Sequence, residues 1–202
     1  MHNQKRIISA TVLAAGSSTR MGDANKLLLQ IDNKPVVAHT IESLLQGGVD
    51  EIIAVLGHEQ ERLRKVLPDG IKIAVNADYR QGMASSVRCG VQNLDPASAA
   101  VFIVLADMPF ISSETIQAMT RIFRSAAQSA IVVPYFQGRQ GNPVLFDSHF
   151  FSELRELEGD RGAKSILHKY SRKIIRFDCD DPAILIDMDT PDAFDKLKRR
   201  ES

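Results

Sequence analysis

Five apolar runs punctuate the chain at residues 6–13, 51–56, 71–75, 100–105 and 130–134, and segments of helical periodicity fill the gaps between them. This alternation constrains the fold more than any other feature of the sequence. Strands separated by helices pair in parallel and give a three-layer α/β domain. The runs are continuous in Val, Ile and Leu, as expected of central strands covered on both faces. Between them, Val36, Val37, Ile41, Leu44 and Leu45 mark one helix face, with Pro35 in its first turn and Gly47 and Gly48 stopping it. A second helix is expected after Gly57 and a third over about 84–93. A fourth starts at Ser112-Ser113-Glu114 and buries Ile116, Met119, Ile122 and Phe123.

The rhythm changes after residue 134. Residues 135–141 form a polar, Gly-containing turn, and Asn142-Pro143-Val144-Leu145-Phe146 reads as an edge strand that tolerates its proline. Helices are expected around 148–157 and 162–170, then strands at 173–177 and 183–186 and a closing helix at 191–198. The chain of 202 residues suits one domain, with no repeat or long linker dividing it. The change of rhythm sets an N-terminal half of about 1–134 apart from a C-terminal half of about 135–202 within it.

Composition narrows the partners. Lys plus Arg equals Asp plus Glu at 25 each, so no global basic field favours nucleic acid, and any polyanion must be held locally. Cys89 and Cys179 lack metal-ligand spacing and read as reduced, partly buried thiols. No apolar run approaches the roughly 20 residues of a membrane span, and residues 1–6 carry no secretory core, so a cytoplasmic location is expected. His39, His58 and His168 pair with no Ser or Cys nucleophile, and no His/Cys cluster suggests zinc.

The first run opens into Leu13-Ala14-Ala15-Gly16-Ser17-Ser18-Thr19-Arg20-Met21-Gly22, with Lys26 close behind. Small residues leave the backbone N–H groups accessible to a triphosphate, and Arg20 and Lys26 bring positive charge. The spacing fails the P-loop pattern, because Lys26 lies between Asn25 and Leu27, and it fails the Gly-x-Gly-x-x-Gly dinucleotide pattern. The fourth run ends in Ala106-Asp107-Met108-Pro109. A carboxylate there, at the ligand-binding edge of an open sheet and among apolar neighbours, needs a partner. Mg²⁺ carrying nucleotide phosphates would supply one; a helix-capping Asp is the other reading. Downstream, Asp187 and Asp189 in Ile186-Asp187-Met188-Asp189-Thr190-Pro191-Asp192 alternate onto one face, although Asp189 before Thr190-Pro191 also reads as a helix cap.

The segment from Leu13 to Lys26 resembles the signature of Rossmann-like, GT-A-type nucleotidyltransferases. Within that superfamily the chain looks most like the molybdenum cofactor cytidylyltransferases. The resemblance implies a three-layer fold with a mainly parallel central sheet, and transfer of CMP from CTP to the phosphate of molybdopterin with release of pyrophosphate. It makes Arg20, Lys26 and Asp107 catalytic, and Asp107 and Asp189 the ligands of Mg²⁺. Leu13, Ala14, Ala15, Gly16, Ser17 and Ser18 would bind the nucleotide. Gln81-Gly82-Met83-Ala84-Ser85-Ser86 resembles a family run bordering the base, giving Gly82, Ser85 and Ser86, with Asp78 just before it. Gly138-Arg139-Gln140-Gly141-Asn142-Pro143 resembles the acceptor-side turn, where Asn142 either meets the acceptor or stabilises the turn. Gly159-Asp160-Arg161-Gly162-Ala163-Lys164 resembles a family motif in which Arg161 and Lys164 would receive the pterin phosphate.

The resemblance extends from Val12 to Phe194 through five motifs in order, while Arg88-Cys89 and Ala106 vary positions that differ within the family. Leu13-Ala14-Ala15-Gly16 is similar to cytidylyl and uridylyl enzymes, whereas guanylyl relatives carry glycine where Ala15 stands. Other readings are a cytidylyl- or uridylyltransferase for a sugar or polyol phosphate, a guanylyltransferase for the same cofactor, and a non-catalytic carrier or chaperone of the cofactor. A molybdoenzyme or its chaperone is a further expected partner.

Overall fold

In the computed structural model, residues 6–16, 25–160 and 162–187 are described. The first strand, β1 (Ile7–Ala14), is the centre from which the sheet grows. It pairs in parallel with β4 (Glu51–Leu56) on one side and β6 (Ser98–Leu105) on the other. β5 (Lys72–Val75) extends the first side, again in parallel. Beyond β6 come β9 (Val144–Asp147), β7 (Ile131–Phe136) and β10 (Ile174–Asp178), with β8 (Arg139–Gln140) hydrogen-bonded to β7, which makes an eight-stranded, mainly parallel sheet. β2 (Gln30–Ile31) and β3 (Lys34–Pro35) form a small separate antiparallel pair.

Period-two alternation divides the apolar residues of each strand between two cores. Ile8, Ala10, Val12, Phe102 and Val104 pack with α1 (Val36–Gln46) and α4 (Ser113–Ser125). Val101, Ile103, Val133 and Phe146 pack with α3 (Met83–Gln92) and α5 (Phe151–Arg155) on the opposite face. The helix expected after Gly57 is the short α2 (Gln60–Arg64), anchored by the buried Leu63. The central sheet is covered on both sides, as its continuous apolar runs require. α3 rides close over β1, because a methyl group at Gly90 would come within 2.0 Å of Thr11 Cγ2.

Several elements depart from expectation. Residues 144–147 form an interior strand, antiparallel between β6 and β7. Pro143 precedes that strand, so its missing N–H removes no ladder bond. The turn at Gln137 and Gly138, both at positive φ, folds β8 back on β7, and the chain then returns through the gap beside β6. Residues 183–186 are not a strand: Pro182–Leu185 is a 3₁₀ turn, opened by Asp181, whose Oδ1 accepts from the Ala183 N–H at 2.9 Å. Pro35 occupies the N-cap of α1 in extended conformation rather than its first turn. Leu45 leaves the buried face and is 46% exposed. The expected 148–157 helix begins as a 3₁₀ turn, Ser148–Phe150, before α5. The expected helix at 191–198 lies outside the described residues.

At the amino edge of the sheet, Glu51 gathers three strands. Its carboxylate accepts from the Ser9 hydroxyl at 2.7 Å, the Asp95 N–H at 3.1 Å and the Ser98 hydroxyl at 3.4 Å, and pairs with Lys72. Burial works to raise the Glu51 carboxyl, but the Lys72 ammonium, the Ser9 hydroxyl and the Asp95 N–H together hold it below its ordinary value.

Candidate active site

The opposite, carboxyl edge is where open α/β sheets receive ligands. Here the end of β1 is held between its neighbours: Leu13 C=O accepts from the Ala106 N–H at 3.3 Å, and Ala15 C=O accepts from the His58 N–H at 3.1 Å. Gly57 permits this closeness, since a methyl group there would stand 2.9 Å from Ala15 Cβ and 2.8 Å from Tyr79 Cβ. Ala14 and Ala15 are buried and Gly16 is exposed at the start of the loop. Ser17, Ser18 and Arg20 lie outside the described residues.

The chain re-enters at Asn25, whose Oδ1 accepts from the Leu27 N–H at 3.1 Å and opens the 3₁₀ turn Lys26–Leu28. Leu27, 4% exposed, anchors this turn in the core. The anchor sets the Lys26 ammonium on the Asp107 carboxylate, to which it donates a hydrogen bond. The two residues are 81 positions apart, and their side chains are only 16% and 9% exposed. Asp107 lies two residues past the end of β6, and α1 braces that corner through the Thr40 hydroxyl, which donates to Ala106 C=O at 3.0 Å. Asp107 thus has the partner its apolar neighbourhood demands, and does not cap a helix in this arrangement.

A carboxylate oxygen at such an edge fits a hard cation of the Mg²⁺ kind, which takes one or two protein carboxylates and completes its shell with phosphate and water. Among the described residues no three His, Cys, Asp or Glu side chains come together as a metal cluster. Asp189 lies outside those residues, and Asp187 is exposed at their end.

Around the edge, two sequence motifs meet. Gly82, at φ +98°, lies against the 159–160 turn: a methyl group there would fall 2.0 Å from Asp160 Oδ1 and 3.0 Å from Gly159 C=O. The Ala84 N–H donates to Gly159 C=O at 3.1 Å, and Gly162 packs on Met83 so closely that a methyl group would come 2.7 Å from its sulfur. Lys164 begins α6 (Lys164–Lys169) and is exposed; Arg161 lies outside the described residues. Ser85 and Ser86 are buried in the first turn of α3, 3% and 6% exposed, and both hydroxyls accept from Asn76. Asp78, exposed, caps no helix with its side chain. Asn142 is half-buried, and its N–H donates to Ile184 C=O at 2.8 Å. A methyl group at Gly141 would lie 2.6 Å from the same carbonyl, so the 138–143 turn rests on the 182–185 turn.

Two residues here stand outside the sequence motifs. Asn76 ties β5 to α3. Asp181 Oδ2 accepts from the Ser112 N–H at 3.2 Å and from the Ser112 and Thr115 hydroxyls at 2.9 Å each, fastening the C-terminal segment to the start of α4. The Asp181-Pro182 pair is a helix-start signal in the sequence, whereas an asparagine after a strand reads only as a turn residue.

A model of the MobA-like NTP transferase domain matches residues 10–174. The chain belongs to that family. It is a nucleotidyltransferase of the MobA-like type, and its fold is that of the crystal structure of Rv0371c from Mycobacterium tuberculosis H37Rv. That structure is 27% identical, with a TM-score of 0.85 over 96% of this chain and 98% of that one. A complex of Rv0371c with manganese superposes at a TM-score of 0.81, with 26% identity over 95% of this chain and 97% of that one. In sequence the chain is 28% identical over 200 residues to PucB, a purine catabolism protein of Bacillus subtilis, covering 94% of this chain and 95% of that protein. It is equally similar, with 94% and 96% covered, to a protein of Paenarthrobacter nicotinovorans named nicotine blue oxidoreductase. Similarity to the bifunctional GlmU protein of Symbiobacterium thermophilum reaches 31%, over 61% of this chain but only 26% of that protein.

Proposed function

We propose that the chain transfers CMP from CTP to the terminal phosphate of a molybdopterin-type acceptor, releasing pyrophosphate in a Mg²⁺-dependent reaction. The observation that carries this reading is the Lys26–Asp107 pair, set under the small-residue end of β1 at the carboxyl edge of the sheet. Asp107, with Asp189, would hold the metal, which when bound supplies Lewis-acid neutralisation of phosphate oxygens. Lys26 and Arg20 would share the charge of the triphosphate with the backbone of residues 13–18. The acceptor brings its own nucleophilic phosphate oxygen, which attacks the α-phosphorus as pyrophosphate leaves in line. No protein nucleophile or general base is required, and the work is positioning and charge stabilisation.

The acceptor side draws support from the convergence of Gly82–Met83 with Gly159–Gly162. Lys164, two residues beyond Gly162, would there receive the phosphate of an acceptor facing the nucleotide. Ala15 in place of glycine favours the smaller pyrimidine ring. The test is pyrophosphate release with Mg²⁺ and CTP, GTP, UTP or ATP, each with and without molybdopterin cofactor. Acceptor-dependent release with CTP alone is expected. Release with GTP retains the chemistry and removes the role given to Ala15. Release with CTP and a sugar or polyol phosphate, but not with the cofactor, replaces the acceptor. Silence with all four nucleotides favours a cofactor carrier.

A further inference from the structure

Asn76 follows β5 on the ligand-binding edge, is 5% exposed, and has its side chain fixed in one orientation. Its Oδ1 accepts from the Asp78 N–H at 3.0 Å, and a backbone N–H can only donate, so Nδ2 must be the atom that faces α3. The two amide hydrogens go to Ser85 Oγ at 2.8 Å and Ser86 Oγ at 3.1 Å. The adjacent serines are thereby made unequal. Ser85 accepts from Asn76 and donates its single hydrogen to Gly82 C=O at 2.8 Å, so it has no hydrogen left to give. Ser86 also accepts from Asn76, but its own hydrogen meets no acceptor among the described residues, although the residue is 6% exposed. A buried hydroxyl hydrogen calls for an acceptor.

We propose that Asn76 is a positioning residue that makes Ser86, and not Ser85, the hydrogen-bond donor to a lone pair of the bound nucleoside. The inference rests on the nucleotide reading of this edge given above. Asn76 is not the reader itself, because both its amide hydrogens and its carbonyl are committed within the protein. Its effect is to forbid Ser86 from turning its hydrogen inward.

Asn76→Asp isolates that effect. The carboxylate keeps the size of the amide and still accepts from the Asp78 N–H, but it can only accept, so Ser86 turns its hydrogen onto residue 76 and presents lone pairs to the nucleoside. Calorimetric titration of CTP and thermal unfolding would be run on the intact chain and on N76D, S86A, S85A and N76D/S86A. Dissociation constants about tenfold weaker are expected for N76D and for S86A, as for one hydrogen bond lost with its partner left unpaired. The double variant should be no weaker than S86A alone, because both changes remove the same donor. S85A should lower the unfolding temperature and weaken CTP clearly less than S86A does. The proposal is overturned if S85A weakens CTP as much as S86A, a contrast that holds even if N76D does not fold. It is also overturned if the losses of N76D and S86A add, or if N76D unfolds earlier with unchanged affinity. Failure of the unmodified chain to bind any of the four nucleoside triphosphates would instead remove the nucleotide reading itself.

Discussion

At the amino edge of the sheet, the Glu51 carboxylate accepts from Ser9, Ser98 and the Asp95 N–H and pairs with Lys72, leaving no capacity for a ligand. At the carboxyl edge, Lys26 and Asp107 form a pair between two elements, and Ser86 keeps a hydrogen without an acceptor among the described residues. Both edges are built from similar residue types, and both carry a Lys–carboxylate contact. The difference lies in completeness. A saturated polar cluster joins strands and adds to stability, while a buried hydroxyl such as that of Ser86, its hydrogen meeting no acceptor among the described residues, is poised for something that arrives from outside.

Substitutions should separate the two edges by what they damage. Asp107→Asn keeps the volume of the side chain and removes its charge, and we expect kcat to fall by about 10²–10³ while the fold persists, as for loss of a single preorganised electrostatic contact. Steady-state pyrophosphate release alongside thermal unfolding checks this. Glu51→Ala should do the converse. The loss of several hydrogen bonds at that cluster costs on the order of 2 kcal/mol, or roughly 4–8 °C in unfolding temperature, with turnover per folded molecule unchanged.

The same edge carries a pH signature. The Glu51 carboxyl is held below its ordinary value in the folded chain, so its stabilisation is fully present above the unfolded carboxyl's value of about 4.3 and is lost as pH falls through the lower, folded one. Unfolding temperature measured from pH 6 down to pH 3 should therefore fall less steeply in the Glu51→Ala variant than in the unmodified chain. The smallest effect is expected from Gly82→Ala. A side chain there must adopt φ +98° and displace Asp160, loosening the 159–160 turn from α3, and the acceptor KM should rise several-fold, more than the KM for CTP. An equal rise in both constants would show that the two halves of the edge are not separable.

Much of the fold is legible in the sequence itself. The strands at 51–56 and around 7–14, 72–75, 98–105 and 131–136 announce themselves because each is largely apolar, and Ser112 reads as the helix cap that it is, accepting from the Thr115 N–H at 3.2 Å. Pro143 hides the interior position of β9, because its penalty vanishes once it falls outside the ladder. Lys26 and Asp107 are each visible as candidates, but their contact spans 81 residues and depends on Leu27 seating the 3₁₀ turn in the core. The Asn76 bridge is not legible at all, since nothing local distinguishes an asparagine that bonds a distant helix from one that merely turns the chain. Pro182–Leu185 misleads for a related reason: four apolar residues satisfy a strand pattern and a short 3₁₀ turn alike, and the Asp181 cap decides between them.

The central claim is that the carboxyl edge performs nucleotidyl transfer. It is tested most directly by following the α-phosphate of CTP. With label in that position, Mg²⁺ and molybdopterin cofactor, the label should appear in the cofactor product in a one-to-one ratio with pyrophosphate, and should stay in CTP when Asp107 is Asn. Label that remains in CTP with the unmodified chain, or that leaves as free CMP regardless of acceptor, would contradict the account.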